Sequence, residues 1–339
     1  MESGGVTGSP ERNGSALQAL ARPVRVAVWG LGAHARRRVL PAIAACPSTV
    51  LVGVTSRDVD VARSEADRFG CQAWLTPAAM LASADVDSVY LATPIGLHHA
   101  HGKEVLAAGK HLWCEKSLTT CRADSEELID LARRARRSVC EAFMYAYHPQ
   151  FVRVADLIRR GSLGRLKSIA CRFGMPFLER PGFRHSAQLG GGALLDVGCY
   201  PLSLALRLVA EEPRVLLKQS RGAPGLEVDV EGYAVLEFPS GTLAHLEWGF
   251  GRSYVNDVRV WGENGSLGAR YIFSKPDDFE TTLEVDDVRG VRRTETVEGA
   301  NQFVRMLETF ARASDDEQVQ EQLRREAEHQ ARQLDALRP

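Results

Sequence analysis

The seven cysteines, Cys46, Cys71, Cys114, Cys121, Cys140, Cys171 and Cys199, include no C-x-x-C pair. Their odd number and scatter give neither a disulfide framework nor a zinc-ligand spacing, so no metal is expected. Charge of one sign is not in excess either. Lys and Arg total 42 against 43 Asp and Glu, a net charge of −1, which leaves no field to draw the whole chain onto nucleic acid or anionic lipid. No apolar run reaches the roughly 18 residues of a membrane span, and the N-terminus lacks the apolar centre of a signal peptide. A cytoplasmic protein is expected. The 45% hydrophobic and 25% charged fractions exclude a fibrous or wholly disordered chain. At roughly 150 residues per domain, a chain of 339 residues suggests two domains.

Residues 1–23 are rich in Gly, Ser, Pro and charge, with too few apolar residues to offset the entropy of ordering them, and read as a disordered tail. From Val24 short apolar runs (VRVAVWG, VLVGVTS, VDSVYLAT, KHLWCE) alternate with helical stretches. That alternation predicts βαβ units and a parallel sheet over residues 24–145. From 146 to 339 the texture changes. Segments such as EVDVEGYAVLEF and TLAHLEWGF have the period of two of half-buried strands, separated by turn signals at Pro239-Ser240-Gly241 and Glu263-Asn264-Gly265, and predict a mostly antiparallel sheet. The end reads as helical, with Ser314 and Glu317 spaced as a capping box. The fold class is therefore α/β, with a parallel sheet first and an open, mostly antiparallel one after it.

Gly30-Leu31-Gly32-Ala33-His34-Ala35 matches G-x-G-x-x-A directly after the first strand and at the opening of a helix. The first glycine permits the tight turn, the second lets the backbone approach a pyrophosphate, and the helix N-terminus offers unpaired N–H groups. An NAD site places an acid about 20 residues on, at the end of the second strand. Here that strand ends Thr55-Ser56-Arg57, a hydroxyl and a guanidinium suited to a 2′-phosphate, which favours NADP. Asp58 beside Arg57 counts against this. Arg36, Arg37 and Arg38 read as a solvated helix face.

Thr93-Pro94, His98 and Glu115-Lys116-Ser117 lie at strand ends that face a cofactor crevice in such a sheet. Much later, Gly190-Gly191-Gly192-Ala193-Leu194-Leu195-Asp196-Val197-Gly198-Cys199-Tyr200 would, if helical, put Asp196 and Tyr200 at i and i+4 on one face.

With these blocks, and with Glu141-Ala142-Phe143-Met144-Tyr145 and His148-Pro149, the chain from residue 24 onward resembles the Gfo/Idh/MocA oxidoreductase family. The resemblance implies a Rossmann domain followed by an open-sheet α/β domain, with the nicotinamide of NADP(H) between them. It implies Lys116 as catalytic lysine and places Asp196 and Tyr200 where members carry acid/base residues. Gly30, Gly32, Ala33, His34, Ser56, Arg57, Thr93, Pro94, His98 and Glu115 are the expected cofactor contacts; Tyr145, His148 and His185 are candidates for the substrate pocket. Within the family the chain looks most like sugar 3-ketoreductases, which reduce a nucleotide-linked hexos-3-ulose. Alternatives are an NADP-dependent trans-dihydrodiol or sugar dehydrogenase, a non-catalytic dinucleotide-binding regulator, and a glycosidase that returns the hydride it borrows. Two departures stand out: Ser117 replaces the usual proline after the lysine, and Ile95 replaces the usual Asn, removing a polar side chain from the expected crevice. Tyr200 is expected to donate a proton, with Lys116 bringing its pKa toward working pH. The bare face of the second sheet is expected to pack in a homo-oligomer.

Overall fold

The computed structural model describes residues 22–338. Of the expected tail, Met1 to Ala21 lie outside the described residues; Arg22 pairs with Asp87 at 2.7 Å. The first sheet contains β1 (Val24–Trp29), β2 (Thr49–Thr55), β3 (Gln72–Trp74), β4 (Ser88–Leu91), β5 (His111–Cys114) and β6 (Val139–Glu141). All its pairings are parallel, in the order β3-β2-β1-β4-β5-β6. The order turns at β1 and β4, which opens a crevice at their C-terminal ends. Every residue of β4 and β5 is buried, as continuous apolar strands covered on both faces must be.

The connecting helices are α1 (Leu40–Ala45), α2 (Val59–Phe69), α3 (Pro77–Ala82), α4 (His98–Ala107) and α5 (Arg122–Ala135). α6 (Pro149–Arg159) leads to the second sheet and α7 (Cys199–Val209) covers it. That sheet is built from β7 (Leu166–Met175), β8 (Arg214–Gly222), β9 (Asp229–Glu237), β10 (Leu243–Phe250), β11 (Val255–Gly262), β12 (Gly265–Arg270), β13 (Thr281–Asp287) and β14 (Arg292–Val297). Its order is β14-β13-β12-β11-β7-β10-β9-β8, antiparallel except for β7 with β10. The alternation along β9 and β11 buries one face and leaves the other accessible, as the period of two requires.

Two helices close the chain, α8 (Gln302–Arg312) and α9 (Glu317–Ala336). Both return to the first half: Phe310 of α8 lies 5.8 Å from Trp113 of β5, and Arg133 of α5 pairs with Glu328 of α9 at 2.9 Å. The expected capping box is not what starts α9. Asp316 accepts from the amides of Gln318 and Val319 at 2.9 and 3.1 Å, a charged acceptor one position before Glu317 that displaces Ser314 from the role. All seven cysteines are free. One helical run does reach spanning length: Ala187–Val209 has a mean hydropathy of 1.4, with 89% of its window buried inside the protein.

Candidate active site

The glycine turn divides its work between fold and ligand. Gly30 has φ +104°, and a Cβ there would come within 2.7 Å of the Ala92 carbonyl group, so its bareness serves the packing of β1 against the end of β4. A Cβ on Gly32 would meet nothing within 4 Å. Gly32, Ala33 and His34 are exposed, and the first backbone bond of the following turn runs from the Arg36 amide to Gly32 O at 3.1 Å. The amides ahead of it have no helical acceptor. This open cradle fits the phosphates of a dinucleotide. At the end of β2, Arg57 is exposed and Ser56 half-buried. The neighbouring Asp58 caps α2, accepting from Asp60 and Val61; its carboxylate is turned to that helix rather than to Arg57.

Behind the cradle, His34 Nε2 lies 3.4 Å from Glu115 Oε1, which also accepts from the Tyr90 hydroxyl at 2.7 Å. Burial works against the Glu115 carboxylate, but His34, Tyr90 and Lys116 hold it below its ordinary pKa. Thr93 and Pro94 are half-buried just beyond β4.

Asp196 is brought opposite Lys116 by a tight packing rule. A π turn, Leu194–Gly198, precedes α7 in place of the regular helix expected from Ala193. A Cβ on Gly198 would lie 2.9 Å from the ring of Trp248 on β10, so only glycine lets this turn sit on the sheet. Lys116 Nζ donates to Asp196 Oδ1 at 2.9 Å and to Asp196 O at 2.6 Å. The two side chains are 12% and 5% exposed. Burial alone would lower the Lys116 pKa; the Asp196 carboxylate, with Tyr200 and Cys199 adding, holds it above the ordinary lysine value. Burial likewise opposes the Asp196 carboxylate, yet Lys116 and Arg184 keep it below its ordinary range.

The Lys116 ammonium meets Tyr200 over its ring, 5.0 Å from the centroid, a cation–π contact rather than a bond to the hydroxyl. Burial pushes the Tyr200 phenol well up, and Lys116 opposes that in part. The expected descent toward working pH does not occur, because desolvation penalises the phenolate more than the ammonium favours it. Phe143, Phe173 and Phe273 surround the ring at 5.3 to 5.6 Å. Its hydroxyl has one partner among the described residues, Met144 Sδ at 3.6 Å, a weak acceptor.

Three expected contacts are buried and already hydrogen-bonded within the protein. His98 is fully buried, with Nε2 2.8 Å from Thr93 O and Nδ1 3.0 and 3.2 Å from the carbonyls of Ser117 and Leu118. It braces the two crevice loops from behind and presents no surface to a ligand. Tyr145 is fully buried and donates to Ser203 Oγ at 2.9 Å; its ring fills the core against Phe151 and Phe273. His148 is buried and caps α6, with Nδ1 accepting from the Gln150 amide at 3.0 Å. Burial, then Lys275 and Arg305, push its pKa down to about 3. His185 stays half-buried near the mouth, 6.1 Å from the Phe177 ring.

Both sequence departures have local reasons. Ser117 is buried, its peptide bond with Lys116 is cis, and its hydroxyl donates to Leu195 O at 3.1 Å, tying the lysine loop to the Asp196 turn. Ile95 is 2% exposed and its Cβ would lie 3.0 Å from a Cβ on Gly190. It packs beneath the segment crossing the crevice instead of facing a cofactor. Two residues escaped the sequence reading. Arg184 donates through Nε to Asp196 Oδ2 at 2.6 Å, and Asp229 accepts from the Leu194 amide at 2.7 Å, anchoring the π turn. Arg184 stands in no motif, and the alternation around Asp229 marks a strand without marking its carboxylate; Asp229 reaches the turn because β9 lies beside it, Arg184 because the segment between β7 and the turn doubles back on itself.

A dinucleotide cradle beside a buried lysine–aspartate pair and a tyrosine defines a nucleotide-dependent oxidoreductase of two α/β halves. The chain belongs to the GFO/IDH/MocA family: its model described as oxidoreductase family, NAD-binding Rossmann fold, matches residues 24–143, and the C-terminal domain model matches residues 151–268. A dTDP-3,4-didehydro-2,6-dideoxy-alpha-D-glucose 3-reductase from Saccharopolyspora spinosa is 34% identical over 293 residues, 86% of this chain and 88% of that protein. The enzyme of the same name from Streptomyces violaceoruber is 37% identical, over 78% of each chain. A 3-ketoreductase from Actinomadura kijaniata, solved with NADP and TDP-benzene, superposes with a TM-score of 0.88 at 31% identity, covering 93% of this chain and 97% of that one.

Proposed function

We propose that the protein is an NADPH-dependent ketoreductase that reduces the keto group of a nucleotide-linked deoxyhexosulose, at C3, in deoxysugar biosynthesis. The observation that carries this reading is the buried Lys116–Asp196 pair against Tyr200 at the crevice of the first sheet. Likeness to dTDP-sugar 3-reductases and to a 3-ketoreductase that binds NADP and TDP-benzene supports the substrate and cofactor. Gly32, Ala33 and His34 would hold the pyrophosphate, Ser56 and Arg57 the 2′-phosphate, and Thr93, Pro94 and Glu115 the nicotinamide end. When bound, the dinucleotide supplies a hydride to the carbonyl carbon.

As hydride arrives, negative charge grows on the carbonyl oxygen, and the Lys116 ammonium, kept charged by Asp196, stabilises it. Tyr200 gives that oxygen its proton. Its hydroxyl has only a thioether as partner, and its raised pKa keeps the phenol protonated throughout the neutral range. The measurement is purified protein with NADPH and a panel of dTDP-linked keto-sugars, followed by loss of NADPH absorbance. Turnover with the 3-keto compounds is expected; none with any of them refutes the reading.

The same reading places the protein in the cytoplasm and pairs copies of it through the accessible face of the second sheet. There Trp261, 66% exposed, and Leu243 flank Ser168 in one cross-strand row. Sedimentation at the monomer mass would refute the pairing.

A further inference from the structure

Residues 176–192 run from β7 to the turn that carries Asp196, and they cross the crevice as a strap. A Cβ on Gly96, beyond β4, would come within 2.5 Å of Gln188 O, and one on Gly190 within 2.6 Å of Gly96 N. The two halves of the protein are thus in backbone contact at this point. Within the strap, the Gly192 amide donates to Arg184 O at 2.9 Å and the Gly191 amide to Ser186 O at 2.8 Å. These bonds hold Arg184 against Gly191 and Gly192 with its Nε on Asp196 Oδ2 at 2.6 Å. Its terminal nitrogens have no hydrogen-bond partner among the described residues, and 29% of the side chain is exposed.

Apart from the Glu115 carboxylate behind Lys116, Asp196 is outnumbered by its own partners. Asp196 faces two cations, Lys116 and Arg184, so the three side chains together carry one net positive charge at the mouth of the crevice. The strap also presents an apolar tip: Phe177 and Leu178 are 52% and 40% exposed, and the Arg184 guanidinium lies 5.1 Å from the Phe183 ring. A guanidinium fixed through one edge, with its other edge free, suits bidentate contact with phosphate oxygens. The half-buried Phe183 ring beside it offers an aromatic surface to a base.

We infer that Arg184 is the anion-recognition residue of the site, its free edge taking the diphosphate of the sugar nucleotide while Asp196 holds the other edge. The inference rests on the nucleotide-linked substrate proposed above. It also gives the strap a purpose: the diphosphate that orders Arg184 settles the same carboxylate that keeps Lys116 charged, so recognition at the phosphates reaches the reacting end.

The test is dTDP binding by calorimetry to the NADP-loaded protein, for wild type, Arg184→Gln and Arg184→Lys, with steady-state kinetics on the dTDP-linked keto-sugar. Loss of one charge-assisted bidentate contact is expected to weaken dTDP about tenfold or more in Arg184→Gln and to raise KM by a similar factor. Arg184→Lys recovers part of the affinity, and NADPH binding and melting temperature stay near wild type in both variants. Binding of dTDP by Arg184→Gln as tight as wild type, with a fall in kcat alone, would overturn the inference by showing that Arg184 acts only through Asp196. Wild-type protein that binds no dTDP and reduces no nucleotide-linked keto-sugar would overturn this inference and the substrate reading together.

Discussion

Replacing Asp196 by Asn removes one charge and keeps the shape, leaving Lys116 and Arg184 without a counter-ion. At the observed 2.9 Å and an effective dielectric of about 20, the Lys116–Asp196 attraction is about 6 kcal/mol before desolvation. Desolvation of both groups offsets much of that in the intact pair, whereas breaking a buried pair from one side costs about 3–5 kcal/mol. Arg184 is partly solvated and adds less. A loss of that size lowers the melting temperature by about 4–7 °C in a protein this large. The pH dependence follows from the two shifts. Asp196 is held below its unfolded pKa, so its contribution is present above the carboxylate range and is lost as pH falls through the folded value. Lys116 is held above its unfolded pKa, so its contribution is present at neutral pH and is lost as pH rises through the folded value. Wild type therefore keeps the full pair from roughly pH 5 to roughly pH 10. In Asp196→Asn, burial is left as the main influence on Lys116 and favours the free amine. The variant recovers part of its stability as pH rises from neutral, while its kcat falls over the same range because the ammonium is lost. Thermal melts and NADPH-linked rates across that range are the assay. A variant melting within about 2 °C of wild type, with an unchanged pH–rate profile, refutes the argument that Asp196 keeps Lys116 charged.

Tyr200→Phe should lower kcat by about 10²–10⁴, the usual worth of a positioned acid, without changing NADPH affinity; wild type should show no tyrosine titration in its rate profile below about pH 10. A rate within twofold of wild type would move the proton to Lys116. Gly30→Ala should cost about 1–3 kcal/mol by chemical denaturation, since its Cβ strikes the Ala92 backbone. Gly32→Ala should leave stability within about 0.5 kcal/mol but weaken NADPH in fluorescence titration. Equal melting of the two variants would refute the division of labour between these glycines. Arg57→Ala should weaken NADPH about tenfold or more and leave NADH unchanged; equal losses for both dinucleotides would remove the 2′-phosphate from Arg57.

Much of the fold was legible because its signals are local. Continuous apolar runs mark β1, β4 and β5, alternation marks β9 and β10, and each period can be read without knowing what packs against it. The glycine turn and Lys116 were legible for the same reason, as short patterns at a strand end. What the sequence does not show is which polar side chains are already engaged within the protein. His98 and Tyr145 are polar residues in suggestive places, and sequence carries no sign that the carbonyls of Ser117 and Leu118 or the hydroxyl of Ser203 already occupy them; His148 is engaged locally, capping α6 just before Pro149. The capping of α9 turned on a choice between neighbouring acceptors, where element ends are least determined.

Arg184 marks the same boundary from the other side. Nothing within the strap singles it out, yet it shares a carboxylate with a lysine 68 positions earlier in the chain. That sharing has a consequence for how the site is held together. Lys116 hangs from a loop of the first half, Asp196 and Arg184 from the second, and Ser117 is bonded to Leu195 across the same seam. Relative movement of the halves therefore separates charges in a poorly solvated crevice, where each is costly to leave alone.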